Sequence, residues 1–405
     1  MSSTTLILLT FVSKKSMNIR VLAIVSVLFH AYVGVRLLPD LAGNVWGAGG
    51  LAALLITSAL VMPLGLTLGT RSSHSPRPLR TVLLTWAGLL FMGLFSSLMV
   101  LTLLRDASLL VLSGIRLVLP DVARLDWAAS SAQAVPLLAL AVTAWGLWNA
   151  RRTAAVVRVD VPVAGLAPAL HGFTLAQISD IHIGPTIRRD YLQRIVQRVN
   201  ALGADVVAVT GDLVDGSVSE LAHHVEALAG LQSRHGTFFV TGNHEYYSGA
   251  HAWVDELRRI GLTVLLNEHV VLLAQQTDHQ PTPLVLAGVT DFSAGHFDAA
   301  HRSDPAAALH GAPPGALRVL LAHQPRSAAA AANAGFDLQL SGHTHGGQFW
   351  PWNLFVPLQQ PFTAGLNRLN SLWVYTSRGT GYWGPPKRFG APSEITLLRL
   401  VAVKD

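Results

Sequence analysis

The chain contains no cysteine, which excludes disulfide staples and thiolate metal sites and leaves the redox compartment undecided. Charge is scarce too. Asp, Glu, Lys and Arg make up 13% of the 405 residues against 51% hydrophobic, and mean hydropathy is +0.42, too oily for a purely soluble chain. Acid is nearly missing from the first 150 residues, where only Asp40, Asp106, Asp121 and Asp126 occur. The net charge of +6 comes with no arginine-rich helix or aromatic-interleaved basic face, so no nucleic-acid binding is expected. There is no internal repeat.

What is present divides in two. Residues 1–150 hold four apolar stretches, at 19–38, 45–68, 79–104 and 132–149, each long enough for the roughly 20 helical residues that cross a bilayer. Their interiors carry no Asp, Glu or Lys, and a soluble helix of that length would show a polar face. Lys14, Lys15 and Arg20 precede the first span, Arg71, Arg77 and Arg80 lie in the second loop, and Arg151, Arg152 and Arg158 follow the fourth. The first loop holds Arg36 and Asp40. The third holds Arg105, Arg116 and Arg124 beside Asp106, Asp121 and Asp126, which weakens the bias without reversing it. Both termini and the domain beyond residue 151 are therefore expected on the cytoplasmic face. Residues 108–119 read as an interfacial helix rather than a fifth span, which would reverse the side. Met17 is an alternative start, because residues 2–16 read poorly as span or signal. No ionisable pair lies mid-span, so the spans read as an anchor.

Residues 151–405 alternate short apolar runs with helical patterns. Strands are expected at 156–162, 173–179, 205–210, 237–241, 263–266, 284–287, 318–322, 338–340, 373–376 and 394–400, and helices at 189–202, 219–231 and 252–260. That alternation predicts an α/β fold, with surface loops at 275–283 and 304–315.

Five of these strands end in metal-binding chemistry: Asp180-Ile181-His182, Gly211-Asp212, Gly242-Asn243-His244-Glu245, His323, and Gly342-His343-Thr344-His345. Ligands in α/β sheets bind beyond the carboxyl ends of strands. A two-metal centre needs a shared carboxylate and an activated water. Asp212 is the natural bridge, with Asp180, His182 and His345 completing one ion and Asn243, His323 and His343 the other. The Asp-x-His and His-x-His spacings put side chains on one side of an extended segment, and the preceding glycines permit a tight bend.

These motifs, in this order and with separations of 32 from Asp180 to Asp212 and 31 from Asp212 to Asn243, resemble the calcineurin-like metallophosphoesterase family over residues 171–405. The resemblance implies a β-sandwich flanked by helices and hydrolysis of phosphomonoesters, phosphodiesters or pyrophosphates. It makes His244 a catalytic residue that stabilises the transition state or protonates the leaving oxygen. Glu245 is expected either to orient that imidazole or to cap the following helix. The tail Ser377-Arg378-Gly379-x-Gly381 and Pro392-Ser393-Glu394-Ile395 looks like the membrane-associated bacterial branch, hence an inner-membrane location. Oxygen and imidazole donors suit two divalent ions, with Mn²⁺ the first choice and Fe, Zn²⁺ or Mg²⁺ compatible.

Four spans beside such a site suggest a lipid-linked phosphate ester as substrate. The contrasting reading is a membrane sensor or scaffold whose metal domain binds without turnover. Asp215 and Asp291 are placed to steady a ligand or simply to shape loops. Arg378, Lys387 and Arg388 read either as phosphate contacts or as surface charge. Tyr246, Tyr247, Trp350, Trp352, Tyr382 and Trp383 cluster around the motifs, as an apolar cleft or as a belt facing lipid. The remaining histidines beyond residue 170, such as His171, His251 and His301, read as structural or solvated.

Overall fold

The computed structural model describes residues 19–70, 78–119, 127–274 and 281–403. Met17 as an alternative start, Lys14, Lys15, Arg71, Arg77, Arg124, Asp121, Asp126 and most of the expected loop at 275–283 lie outside the described residues. The chain forms two compact units, one of the N-terminal helices up to Leu147, the other beginning at Trp148.

The first unit contains α1 (Ile19–Leu37), α2 (Val45–Thr70), α3 (Leu79–Val118) and most of α4 (Trp127–Arg151). All four are long and apolar enough to cross a membrane. Val33, Leu37, Leu51, Leu55, Leu94, Leu98 and Val135 form their shared core. Val21, Leu28, Ile56, Leu60 and Leu137 stay exposed, as lipid-facing side chains do. A Cβ on Gly65 would lie 2.6 Å from Cα of Gly88, so α2 and α3 pack backbone to backbone, as small residues allow in bilayers.

Residues 108–119 do not form a separate interfacial helix. They continue α3 without a break, because no proline interrupts the run from Arg105 to Val118. Arg105 is therefore not a loop residue. Its buried guanidinium binds the carboxylate of Asp40, the carbonyls of Arg36 and Ala128 and the hydroxyl of Ser131. Mid-helix, His30 of α1 bridges to α2 through Ser58 Oγ at 2.9 Å, a neutral polar tie rather than an ion pair.

The second unit is a sandwich of two six-stranded sheets. Its strands are β1 (Ala155–Val163), β2 (Thr174–Ile178), β3 (Val206–Thr210), β4 (Thr237–Val240), β5 (Thr263–Val264), β6 (Glu268–Ala274), β7 (Thr282–Gly288), β8 (Leu317–Leu321), β9 (Leu338–Ser341), β10 (Gly365–Leu369), β11 (Leu372–Thr376) and β12 (Glu394–Ala402). One sheet runs β1-β12-β2-β3-β4-β5 and the other β10-β11-β9-β8-β7-β6. The runs β2–β5 and β7-β8-β9-β11 are parallel, so their carboxyl ends share an edge.

Residues alternate along each strand between two cores, the period-two rule at work. Leu175, Val206, Ala208, Phe238 and Val240 meet Leu286, Val319, Leu321 and Leu340 between the sheets. Ala176, Ile178, Val207, Val209 and Phe239 face outward onto Ile195, Val199, Leu221, Trp253 and Leu257. Those five lie on α5 (Arg189–Asn200), α6 (Val218–Val225) and, after α7 (Asn243–Ser248), α8 (Ala250–Arg259). The outer face of the other sheet is covered in part by α9 (Ala328–Ala334). Being buried on both faces, β2 to β4 read as continuous apolar runs, as parallel strands do. The edge strands β6 and β10 and the alanine-rich α9 were not foreseen. β10, Gly-Leu-Asn-Arg-Leu, carries no strong pattern and α9 offers no contrast between faces, whereas β6 does hold an apolar run over 270–274.

Candidate metal centre

The carboxyl ends of β2, β3, β4, β8 and β9 converge, and cross-sheet hydrogen bonds hold them together. Gln177 on β2 donates to Thr210 Oγ1 at 2.8 Å and to the carbonyl of Ser341 at 2.9 Å. His323 Nδ1 lies 2.8 Å from the Thr210 carbonyl, which turns its Nε2 toward Asp212.

Asp180, His182, Asp212, His343 and His345 all have φ between 51° and 70°. They are five of the eight non-glycine residues in left-handed conformation among the described residues. Each such residue costs about 1–3 kcal/mol, and that strain concentrates at functional sites. The pairs Asp180/His182 and His343/His345 thus converge through left-handed turns, not through the period of an extended segment. The glycines also act differently from the expectation. Gly211 does take a left-handed bend at φ +83°. Gly242 and Gly342 instead supply room: a Cβ would lie 2.2 Å from an Asp212 oxygen in the first case and 2.0 Å from Ser179 Oγ in the second.

Asp180, His182 and His345 form one group, and Asp212, His323 and His343 another. In the first, the Nε2 atoms of His182 and His345 stand 3.0 Å apart, with Asp180 Oδ1 3.5 Å from the latter. In the second, His323 Nε2 lies 3.2 Å from His343 Nδ1 and 3.1 Å from Asp212 Oδ2. Asp212 Oδ1 accepts from the His244 amide, leaving Oδ2 facing His323, His182 at 3.9 Å and His244 at 4.0 Å. Asp212 is therefore the carboxylate between the two groups. Asp180 Oδ2 and Asn243 Oδ1 are buried without a hydrogen-bond partner, a costly state unless something electropositive joins them. Donors sharing one cation lie about 3 Å apart, given metal–nitrogen bonds near 2.1 Å. The donor set fits divalent ions.

Burial brings His343 down to about 3. Burial, with Arg388 beside it, holds His345 far below the ordinary imidazole range. Both rings are therefore neutral, the form that binds metal. Burial also pulls His244 down, but the charges of Asp212 and Asp215 overcome it and lift that group to about 9.

The partner of the His244 ring is Asp215, not Glu245. Asp215 Oδ1 lies 2.6 Å from His244 Nδ1 and 3.1 Å from His182 Nδ1. Burial opposes its charge, yet the two imidazoles hold its carboxyl well below the usual range. Glu245 turns the other way and accepts the backbone N–H groups of Gly242, Asp212, Leu213 and Val214. It is a brace that closes the start of α7 and the loop carrying Asp212, the capping alternative in extended form. Burial, then the charge of Asp212, raises it to about 7. Glu245→Gln would set an amide donor against two N–H groups and is expected to cost about 1–3 kcal/mol. Thermal unfolding of the detergent-solubilised protein should fall by several degrees.

Neither Lys387 nor Arg388 is surface charge, since both are buried. Arg388 donates to the carbonyls of His345, Arg378 and Gly381 and stands 3.0 Å from His345 Nδ1, clamping that ring. Arg378 is paired with Glu394 at 2.8 Å. Asp291 accepts from Gln324, next to His323, and from Ser293, so it steadies a loop rather than touching a ligand. The sequence offers Arg388 only as a phosphate contact or surface charge, and no spacing rule ties it to His345.

The calcineurin-like phosphoesterase family model matches residues 173–347, which contain every residue of both groups. An uncharacterised metallophosphoesterase of Aquifex aeolicus is 32% identical over 224 residues, 55% of this chain and 82% of that protein. The chain belongs to the calcineurin-like phosphoesterase family. A Danio rerio protein named transmembrane protein with metallophosphoesterase domain is 40% identical over 274 residues, 65% of this chain and 62% of that protein. A Campylobacter jejuni metallophosphoesterase, also uncharacterised, is 35% identical over 258 residues, 63% of this chain and 66% of that one. The chain thus spans 62% of the length of its vertebrate relatives. The chain, with its four apolar helices and relatives named as transmembrane, is a membrane protein.

Proposed function

We propose that this phosphoesterase hydrolyses a phosphate ester or pyrophosphate at a two-cation centre. Asp180, His182 and His345 would hold one ion, Asn243, His323 and His343 the other, and Asp212 would bridge them. The observation that carries this reading is Asp212 Oδ2 facing three imidazoles, with Asp180 Oδ2 and Asn243 Oδ1 left open beside it. When bound, the cations supply charge neutralisation at the phosphoryl group and a water acidified toward neutrality.

The chain's own residues supply the rest. His244, protonated and held by Asp215, presents Nε2 to the site as proton donor to the leaving oxygen. Arg388 and Asp215 lock the rings of His345 and His182 from behind, as groups behind a metal ligand do. The left-handed turns hold the donors in place before any ligand arrives, which lowers the reorganisation needed at reaction.

Metal-stripped protein should be inert toward a panel of soluble and lipid phosphodiesters, monoesters and pyrophosphates. Refilling with Mn²⁺, Mg²⁺ or Zn²⁺ should restore turnover, with Mn²⁺ best. Stripped protein that still hydrolyses the panel would remove the mechanism.

We further propose that the domain lies on the cytoplasmic face of a bacterial inner membrane, on the strength of the Lys and Arg distribution between the spans. Green fluorescent protein fused after Arg152 should fluoresce and alkaline phosphatase at the same point should stay silent. The opposite pattern would reverse the side.

A further inference from the structure

Directly after His345 the chain runs from 346 to 367 without Asp, Glu, Lys, Arg or His. Within it, Trp352–Leu354 and Val356–Leu358 form two consecutive 3₁₀ turns. Phe349 and Phe362 fold inward, but between them Trp350, Trp352, Leu354, Phe355 and Leu358 are between 42% and 80% exposed. An uncharged apolar patch of this kind marks an interaction site.

Part of its backbone bonds locally, while the Trp350 amide donates to the carbonyl of Phe389 and the Gln359 carbonyl accepts from Arg326. Amides of Trp352, Leu354, Phe355, Leu358, Gln359 and Gln360 donate to carbonyls inside the segment. Local hydrogen bonding of this kind lowers the cost of leaving water for an apolar phase. A protein interface would carry a polar, hydrogen-bonding rim. Trp at one end with Leu, Phe and Val beyond it is instead the composition of a lipid-interface element.

Covalent geometry supports the same occupant. α4 ends at Arg151 and β1 begins at Ala155, so the domain starts within about 14 Å of the end of a membrane helix. The apolar surface also continues to the metal cluster. The Gln348 side chain pairs with the backbone of Trp383 at 2.8 Å in both directions, and the Trp383 and Tyr247 rings lie 5.8 and 5.2 Å from that of His244.

We propose that residues 350–358 dip into the headgroup–acyl boundary of the bilayer crossed by the four helices. They thereby hold the metal cluster at headgroup level, where it acts on phosphate carried by a lipid. The insertion stands on the geometry above; the lipid substrate rests on the function proposed in the preceding section.

The absence of native cysteine makes the test clean. Single variants Leu354→Cys and Leu358→Cys, with His310→Cys at an exposed position as control, are labelled with a polarity-sensitive fluorophore. Each full-length protein is reconstituted into phosphatidylcholine–phosphatidylglycerol vesicles. Acyl-brominated lipid should quench the labels at 354 and 358 by about threefold and leave that at 310 unchanged, given insertion of several ångströms. Water-like, unquenched emission at 354 and 358 would overturn the insertion and leave the face to another occupant.

A second arm uses L354S/F355S/L358S. Hydrolysis of a vesicle-borne lipid phosphate should fall by about tenfold or more, while that of bis-p-nitrophenyl phosphate holds. Equal loss on both substrates, or no loss on the lipid, would overturn the positioning role. If the unmutated protein hydrolyses neither, the proposed function fails, and the quenching result still decides the insertion.

Discussion

Asp212→Asn is expected to cut turnover by about a thousandfold while leaving the fold intact. Asparagine keeps the oxygen that accepts from the His244 amide, so the loop retains its anchor. It loses the charge at Oδ2, where His323, His182 and His244 converge, and sets an amide in its place. Without the shared carboxylate neither ion is fully held. Losing the contribution of a bridged pair, worth several kcal/mol, corresponds to about a thousandfold in kcat/KM. Bound metal, counted by mass spectrometry on the purified protein, should fall from two equivalents to one or none, and the unfolding temperature should shift little. Full activity with two metals retained would sink the assignment of Asp212 as bridge.

The second large effect is expected at Asp215, a positioning residue that touches neither substrate nor cation in this scheme. Its single Oδ1 atom holds both His182 and His244 by Nδ1. Asp215→Asn should therefore weaken metal binding by about 10–100-fold through His182. Independently, it should lower kcat by about 100-fold or more through His244, in line with general acid catalysis. The two contributions separate experimentally. Saturating Mn²⁺ should repair the first and leave the second, and at saturation Asp215→Asn/His244→Ala should be no slower than His244→Ala alone. Additive losses in that cycle would show that Asp215 acts elsewhere.

The candidate ligands were legible because each follows a strand, and strands announce themselves by apolar runs. Asp180 and His323 need only the end of such a run, and Asp212, Asn243 and His343 have a glycine just before them as well. The residues behind them were not. Asp215 stands three positions past Asp212, where loop chemistry explains an aspartate equally well, and Arg388 sits 43 residues beyond the histidine it clamps. Glu245 was the opposite case. Its adjacency to His244 suggested a partnership, but on a helical turn neighbouring side chains point apart, and the carboxylate went to backbone amides. Likewise the interfacial helix expected at 108–119 came from ending a span at the first arginine. Asp40, distant in sequence, keeps that arginine bonded inside a continuous helix.

By itself the sequence determined the division into an apolar helical part and an α/β part, all strands but β6 and β10, and the donor types at the strand ends, because these follow from local periodicity and composition. Tertiary structure alone decided how the donors meet. It placed five of them in left-handed turns, chose Asp215 over Glu245 for His244, and left the uncharged segment after His345 facing outward. The reason is physical. Hydrophobic period is written along the chain, whereas hydrogen-bond partners and exposed faces depend on which distant segments the two sheets bring together.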